Sequence, residues 1–332
     1  MLVTLEKEMH SRREFLVMAA CTAASQSFAA TSARMRRVGW LTAQQPGSLT
    51  SYLEALRQGL AEQKLAEGQG VEVLYRYGED DVGRVPELAH DLVTSGAELL
   101  IVQGAAIPVV IKLDLPVPIV FVTSADPIAA GFAKSLTQPI DNCTGVTFMA
   151  FEFLGKRLEI LKEIFPTLRH VTVLGNPLHP GSSIERASSE EAGRRLGISS
   201  DFLATPSGDS LEVARTTLAH SRPDAISLLP DGFAIAHRQT IMAIATELRI
   251  PVISGWPVFA QAGALCTYGP RLPVIYRRIA YFVARILNGT RPSDLPVERP
   301  TQFEFVLNQT VARSFNLTFS RAMLARADEV IE

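Results

Sequence analysis

Cysteine is scarce in this chain: Cys21, Cys143 and Cys266 are the only three in 332 residues. That excludes a disulfide framework, and none of them stands at metal-ligand spacing. Charge of one sign is also missing. Lysine and arginine number 32 against 34 acidic residues, a formal net charge of -2. Such a balance provides neither a basic field for nucleic acid nor a polybasic patch for anionic lipid. After the first thirty residues no apolar run approaches the ~18 residues that would span a bilayer. The six histidines (His10, His90, His170, His179, His220 and His237) show no ligand spacing. H-E-x-x-H, G-x-S-x-G, P-loop and G-x-G-x-x-G motifs are all absent, so an enzyme has no positive support, although catalytic triads need not be local in sequence. No cofactor or metal is expected.

What is present begins at the front. Ser11-Arg12-Arg13-Glu14-Phe15-Leu16 leads into a weakly apolar run, Val17 to Ala30, that ends in small residues before Arg34. A basic head, a short apolar stretch and a small-residue cleavage zone make residues 1–33 a twin-arginine-type export signal. The stretch is interrupted by Ser25, Gln26 and Ser27 and is too short and polar to cross ~30 Å of hydrocarbon. A lipid-modified Cys21 is the alternative, but it would leave a very short apolar region after the arginine pair. The expected location is the periplasm, with the remaining chain long enough for two ordinary domains.

Beyond the signal, short apolar runs alternate with helix-like stretches. Arg37 to Thr42, Val71 to Tyr77, Leu99 to Val102 and Ile119 to Val122 read as strands. Helices are predicted at Tyr52 to Glu62, Val85 to Thr94 and Asp126 to Ser135. The rhythm repeats with strands Val171 to Leu174, Ala225 to Leu229 and Pro251 to Ile253, and helices Ser183 to Leu196 and Ile235 to Glu247. Runs of four to six apolar residues imply strands buried on both faces, hence parallel sheets covered by helices. The predicted fold class is α/β, two doubly wound parallel-sheet lobes joined by a hinge of three crossings. One lobe is expected to comprise 36–145 plus 264–290, the other 146–261 plus 298–332. Crossings are placed near Thr144 to Phe148, near Ala262 to Leu265 and in the loop Arg291 to Pro296.

Several segments carry a family resemblance along the whole chain. They are Phe121-Val122-Thr123-Ser124-Ala125-Asp126-Pro127, Asn142 to Phe148, Lys156 to Glu163, Tyr268-Gly269-Pro270 with Tyr276-Arg277-Arg278, Leu295 to Thr301, and the tail Leu324 to Glu332. In these the chain resembles ABC-transporter substrate-binding proteins of the tryptophan/tyrosine-binding-like group. The resemblance implies the type I periplasmic-binding-protein fold, a small-molecule ligand held between lobes (an amino acid or an aromatic compound), and an ABC permease of the inner membrane as partner. It also implies a non-enzymatic monomer with no nucleic-acid partner. Cys143 and Cys266 are idiosyncratic against the family pattern and Trp256 sits where the family varies, so ligand identity does not carry over. An exported sensor or enzyme on the same fold is the alternative. A transcriptional regulator would need a basic helix-turn-helix where the export signal stands.

Ligands of open α/β sheets sit beyond the carboxyl ends of the strands. That rule selects Gln44, Gln45, Gln103, Gly104, Ser124, Asp126, Asn176, Ser182, Ser183, Asp231 and Trp256 as candidate ligand-binding residues, with His179 the one histidine expected near them. No lysine or arginine lies in these loops, so an anion would meet backbone and hydroxyl donors. Asp126 before Pro127 and Asp231 before Gly232 each suit a helix cap or turn as well as a ligand. Ser183 suits an N-cap, Ser182 a ligand contact, and Trp256 either packing or a stacking platform. Trp40, inside the first strand, reads as core. Cys143 and Cys266, expected on neighbouring strands at the edge of the first lobe's sheet, could be bridged in an oxidising compartment if their Cα atoms approach within roughly 4.4–6.8 Å; buried free cysteine is the other outcome.

Overall fold

Valine, isoleucine and leucine runs too apolar to face water form the ladders that organise the chain. The computed structural model describes residues 35–332 apart from Ser48, Asp141 and Pro230. The expected export signal, with Arg12, Arg13 and Cys21, lies outside the described residues. The first half runs β1 (Arg36–Thr42), α1 (Thr50–Glu62), β2 (Val71–Tyr77), α2 (Val85–Thr94), β3 (Leu99–Gln103), α3 (Ile107–Lys112) and β4 (Ile119–Thr123). A small antiparallel pair, β5 (Ala133–Ser135) with β6 (Gln138–Pro139), precedes β7 (Cys143–Thr147). The sheet order β2-β1-β3-β4-β7 is parallel throughout. Its inner strands β3 and β4 are buried at every residue, as strands covered on both faces must be, and so is β7 at the sheet's edge.

The second half runs α4 (Leu154–Ile164), β8 (His170–Gly175), α5 (Ser182–Leu196), β9 (Ser199–Ala204), α6 (Ser210–Ser221), β10 (Ala225–Leu228), α7 (Gly232–Ala236), α8 (Arg238–Glu247), β11 (Val252–Ser254), α9 (Pro257–Ala262) and β12 (Cys266–Pro270). It continues with α10 (Leu272–Leu287), β13 (Phe303–Asn308), α11 (Gln309–Ser314), α12 (Arg321–Arg326) and β14 (Glu329–Ile331). The second sheet has the order β14-β13-β12-β11-β10-β8-β9, parallel except where β13 runs against β12.

Three connections cross between the sheets: β7 to α4, β12 to α10, and the segment before β13. The second falls later than the sequence suggested. The strand predicted to join the first lobe instead pairs with β11 on one side and β13 on the other. The β11-α9-β12 unit is short, and a short βαβ connection returns its strand to the sheet it left. Only α10 goes over, so the stretch expected as 264–290 in one lobe divides at about Pro270. Leu272, Ile275, Tyr276, Ile279 and Val283 then bury one face of α10 against the first sheet and α1. The third crossing is pinned to β7: Glu298 N–H donates to the Gly145 carbonyl at 3.0 Å and Thr144 Oγ1 to the Leu295 carbonyl at 2.6 Å.

That division also corrects the cysteine expectation. Cys143 lies on β7 in the first sheet and Cys266 on β12 in the second, so the two strands are not neighbours and no bridge joins them. Both thiols are buried, and burial pushes the Cys266 thiol well above the ordinary range. Two helix predictions change as well. After Asp126 a single turn closes and the chain reverses at Gly131 (φ +78°), which lets Phe132 pack on Phe121 at 5.9 Å before β5 begins. The predicted Ile235–Glu247 helix starts earlier, at Gly232, and is broken at His237.

Candidate functional site

Carboxyl ends of strands from both sheets face one cleft. From the first sheet come Ala43 and Gln44 after β1, Asp80 and Val82 after β2, Gln103 to Ala105 at the end of β3, and Ser124 after β4. Asn176, Leu178 and His179 after β8, Asp231 to Phe233 after β10, and Trp256 after β11 face them from the second. The cleft holds about 700 Å³ of non-atom space, its open mouth included.

An aromatic column forms the floor on the hinge side. Phe148, just past β7, meets Trp256 edge-on at 6.1 Å (89°) and stacks on Tyr276 at 6.4 Å. Tyr276 stacks in turn on Tyr52 at 5.3 Å and lies 6.2 Å from Trp40. Trp40 is wholly buried, as its place in β1 implies. Edge-to-face and offset geometries at these distances suit the ring quadrupoles. Trp256 both packs in this column and lines the cleft; its buried Nε1 has no hydrogen-bond partner.

The walls are rich in acceptors. Gln44 Oε1 and Gln103 Oε1 are buried without partners. An orphan buried polar atom costs ~1–3 kcal/mol, which a ligand donor would recover. Asp231 accepts the Ala234 N–H at 2.7 Å, capping α7, so its capping role is real, and it also borders the cleft. Burial pushes its carboxyl up to about 6; hydrogen bonds from Ala234 and Asn176 oppose that rise, and Asp80 adds to it. Asp80 reaches across the mouth to His237, Oδ2 to Nε2 3.9 Å. No lysine or arginine is among the described residues that line the cleft.

His179 is held between lobes. Asn176 Oδ1 accepts the Leu178 N–H at 2.9 Å, and the His179 N–H donates to the Asn176 carbonyl at 3.1 Å. Its Nε2 lies 2.7 Å from Ser124 Oγ, and its Nδ1 accepts the Gly181 N–H at 3.1 Å. In a nucleophile–base pair Nδ1–H is held by an acceptor and Nε2 takes the serine proton. Here the backbone donor at Nδ1 imposes the reverse arrangement, so His179 cannot serve as base to Ser124. Burial also holds the imidazole down at about 4.

Of the candidates read from sequence, Gln44, Gln103, Gly104, Ser124, Asn176, Asp231 and Trp256 meet around this cleft. Asp126 does not line it. The Asp126 carboxylate accepts from the Ile128 and Ala129 N–H groups at 2.8 and 3.4 Å, a local turn cap. Gln45 sits outside the mouth beside Pro46, Gly47 and Arg238. Ser182 is buried and Ser183 exposed in the first turn of α5, and Gly181, not Ser183, precedes that helix. Asp80, Phe148, Pro206 and Phe233 were not foreseen in the cleft. Asp80 follows β2 at the same strand end as the chosen loops, which is the signal that could have found it.

Two α/β lobes closing on such a cleft define a ligand-binding protein of the type I periplasmic-binding-protein fold. The match to the family model of ABC transporter substrate binding proteins spans residues 44–331, and the chain belongs to that family. A "Tyrosine-binding protein" of Clostridioides difficile strain R20291 is 19% identical over 291 residues, 86% of this chain and 82% of that protein. A crystal structure of a conserved domain protein from Vibrio cholerae superposes with a TM-score of 0.83 at 23% identity, covering 90% of this chain and all of the other. An ABC domain from Streptococcus pneumoniae in complex with L-Trp gives 0.82 at 21% identity, with the same coverage. The chain is thus a solute-capture protein. None of the helices among the described residues is long and apolar enough to cross a membrane.

Proposed function

We propose that this protein binds a zwitterionic amino acid with an aromatic or bulky apolar side chain and presents it to an ABC permease. The observation that carries this reading is the pairing, in one cleft, of an aromatic floor with partnerless buried acceptors and a carboxylate. Phe148, Trp256 and Phe233 offer an apolar bed, whereas Gln44 Oε1, Gln103 Oε1 and Asp231 suit the three N–H donors of an ammonium. Relatives named for tyrosine and crystallised with L-Trp support the same class. No chemistry is required of the site: ligand contacts to both lobes shift the population toward the closed form.

Native mass spectrometry of protein purified from its own cell compartment is expected to release an intact amino acid. The same compound, added back, should raise the melting temperature with the logarithm of its concentration above the dissociation constant. Recovery of a chemically altered product would sink the reading.

Export through the twin-arginine route to the periplasm completes the proposal and rests on Arg12-Arg13 ahead of the alanine-rich run. Replacing both arginines by lysine should leave the precursor in the cytoplasm on fractionation; normal periplasmic accumulation would refute that route.

A further inference from the structure

Ser124 and His179 lie on opposite lobes yet share a 2.7 Å hydrogen bond within the cleft wall. A backbone N–H can only donate, so the Gly181 N–H at 3.1 Å requires a bare Nδ1 on His179. Glu185 Oε2, the one carboxylate facing that nitrogen, stands 3.8 Å away, beyond hydrogen-bond reach. The neutral ring therefore carries its hydrogen on Nε2 and donates it to Ser124 Oγ. With a lone pair of Oγ so occupied, the serine's own hydrogen turns toward the cleft.

We propose that His179 is a specificity-determining positioning residue, which locks the Ser124 hydroxyl as a donor and so reserves that wall for the ligand's carboxylate. The inference rests on the amino-acid reading of the cleft. It explains how a site without lysine or arginine distinguishes the two ends of a zwitterion. Gln44, Gln103 and Asp231 present acceptors, and Ser124 presents a donor, so the ligand fits in one orientation only. Burial keeps the imidazole neutral, its protonation moved far into the acid range, and the loop bonds from Asn176 hold the ring in place.

Calorimetric titration of L-tryptophan against tryptamine, and of L-tyrosine against tyramine, tests the assignment on the full mature protein. Wild type is expected to prefer at least one amino acid over its amine by about 100-fold, the scale of a buried charge-assisted hydrogen bond and its neighbours. His179→Leu frees the serine to rotate and should erase about tenfold of that ratio, with little change for the amine. His179→Gln keeps an N–H donor and should restore most of it. Nitrogen-15 NMR of His179 in the ligand-free protein, with no binding needed, should show a protonated Nε2 and a bare Nδ1 at neutral pH. A protonated Nδ1, or an unchanged ratio in His179→Leu, overturns the relay. Equal wild-type affinity for acid and amine would also overturn it while leaving the cleft as an amine-binding site. Failure of every probe to bind would remove the carboxylate assignment together with the amino-acid reading.

Discussion

Asp231→Asn should weaken binding of an amine-bearing ligand by about 100-fold, at the upper end of what a hydrogen bond to a charged group contributes, without lowering the melting temperature. The two effects separate because the carboxylate has two jobs. It caps α7 through Ala234 and faces the cleft. Asparagine caps as well as aspartate, so the helix start survives while the charge is lost. Asp231→Ala removes both and should cost a further ~1 kcal/mol of stability. The pH dependence has a definite sign. The folded-state carboxyl is raised from 3.8 to about 6, mainly by burial, so the folded state holds this proton more tightly than the unfolded chain does. This residue's contribution to stability is therefore greatest below pH 3.8 and is lost as pH rises from there through about 6. Asp231→Asn should consequently be no less stable than wild type at pH 7. Binding of a cation runs the other way, because only the ionised carboxylate attracts it. Affinity should rise as pH climbs from 5 to 7, by about tenfold per unit below the pKa, and Asp231→Asn should flatten that slope. Calorimetry across the pH range, with melts of both variants, checks each part. An unchanged dissociation constant in Asp231→Asn would leave the residue as a helix cap alone.

The doubly wound lobes were legible because strands buried on both faces carry runs of apolar residues, as β3 and β4 do over their first four positions. β9 was not, because it is an edge strand with no fully buried residue, and Ser199-Ser200-Asp201 has no strand signature. The second crossing was misplaced for a related reason. Apolar periodicity says that Cys266 to Pro270 is a strand but not which sheet receives it; the partner choice is made by β11 and β13 far away in sequence. The rule of carboxyl strand ends found Gln44, Gln103, Ser124, Asn176, Asp231 and Trp256, since it follows from topology alone. It also swept in Asp126, whose carboxylate is consumed by its own turn, and Ser183, which faces solvent. Whether a loop residue points inward is settled by local hydrogen bonds that spacing does not encode. Phe148 escaped notice because it lies past the end of β7 at the first crossing, next to Met149, whose φ is +46°.

Gly232→Val should abolish ligand binding at ordinary concentrations while the protein stays folded. Gly232 opens α7 on one lobe, and Gln44 from the other lies over it: a Cβ at this position would come 1.4 Å from Gln44 Nε2 and 1.7 Å from its amide carbon. Its backbone conformation is open to any residue, for its φ is not among the positive ones. Replacing a glycine near a helix start therefore does not strain the lobe itself, and within a helix the change from glycine gains up to ~1 kcal/mol. The obstacle exists only when the lobes approach. Gln44 must then swing into the space that a ligand would fill, or the lobes must remain apart; in either case affinity falls. Gly232→Ala is expected to cost about tenfold and Gly232→Val about 100-fold or more, in the range of overpacking a close contact. Gln44→Ala alone should weaken binding through the lost amide. Combined with Gly232→Ala it should cost less than the sum of the two, because the clash needs both partners. A double-mutant cycle by calorimetry reads that coupling, and small-angle scattering with added ligand shows whether the variant remains open. Additive losses, or full affinity in Gly232→Val, would mean that the cleft does not close on its ligand through this contact.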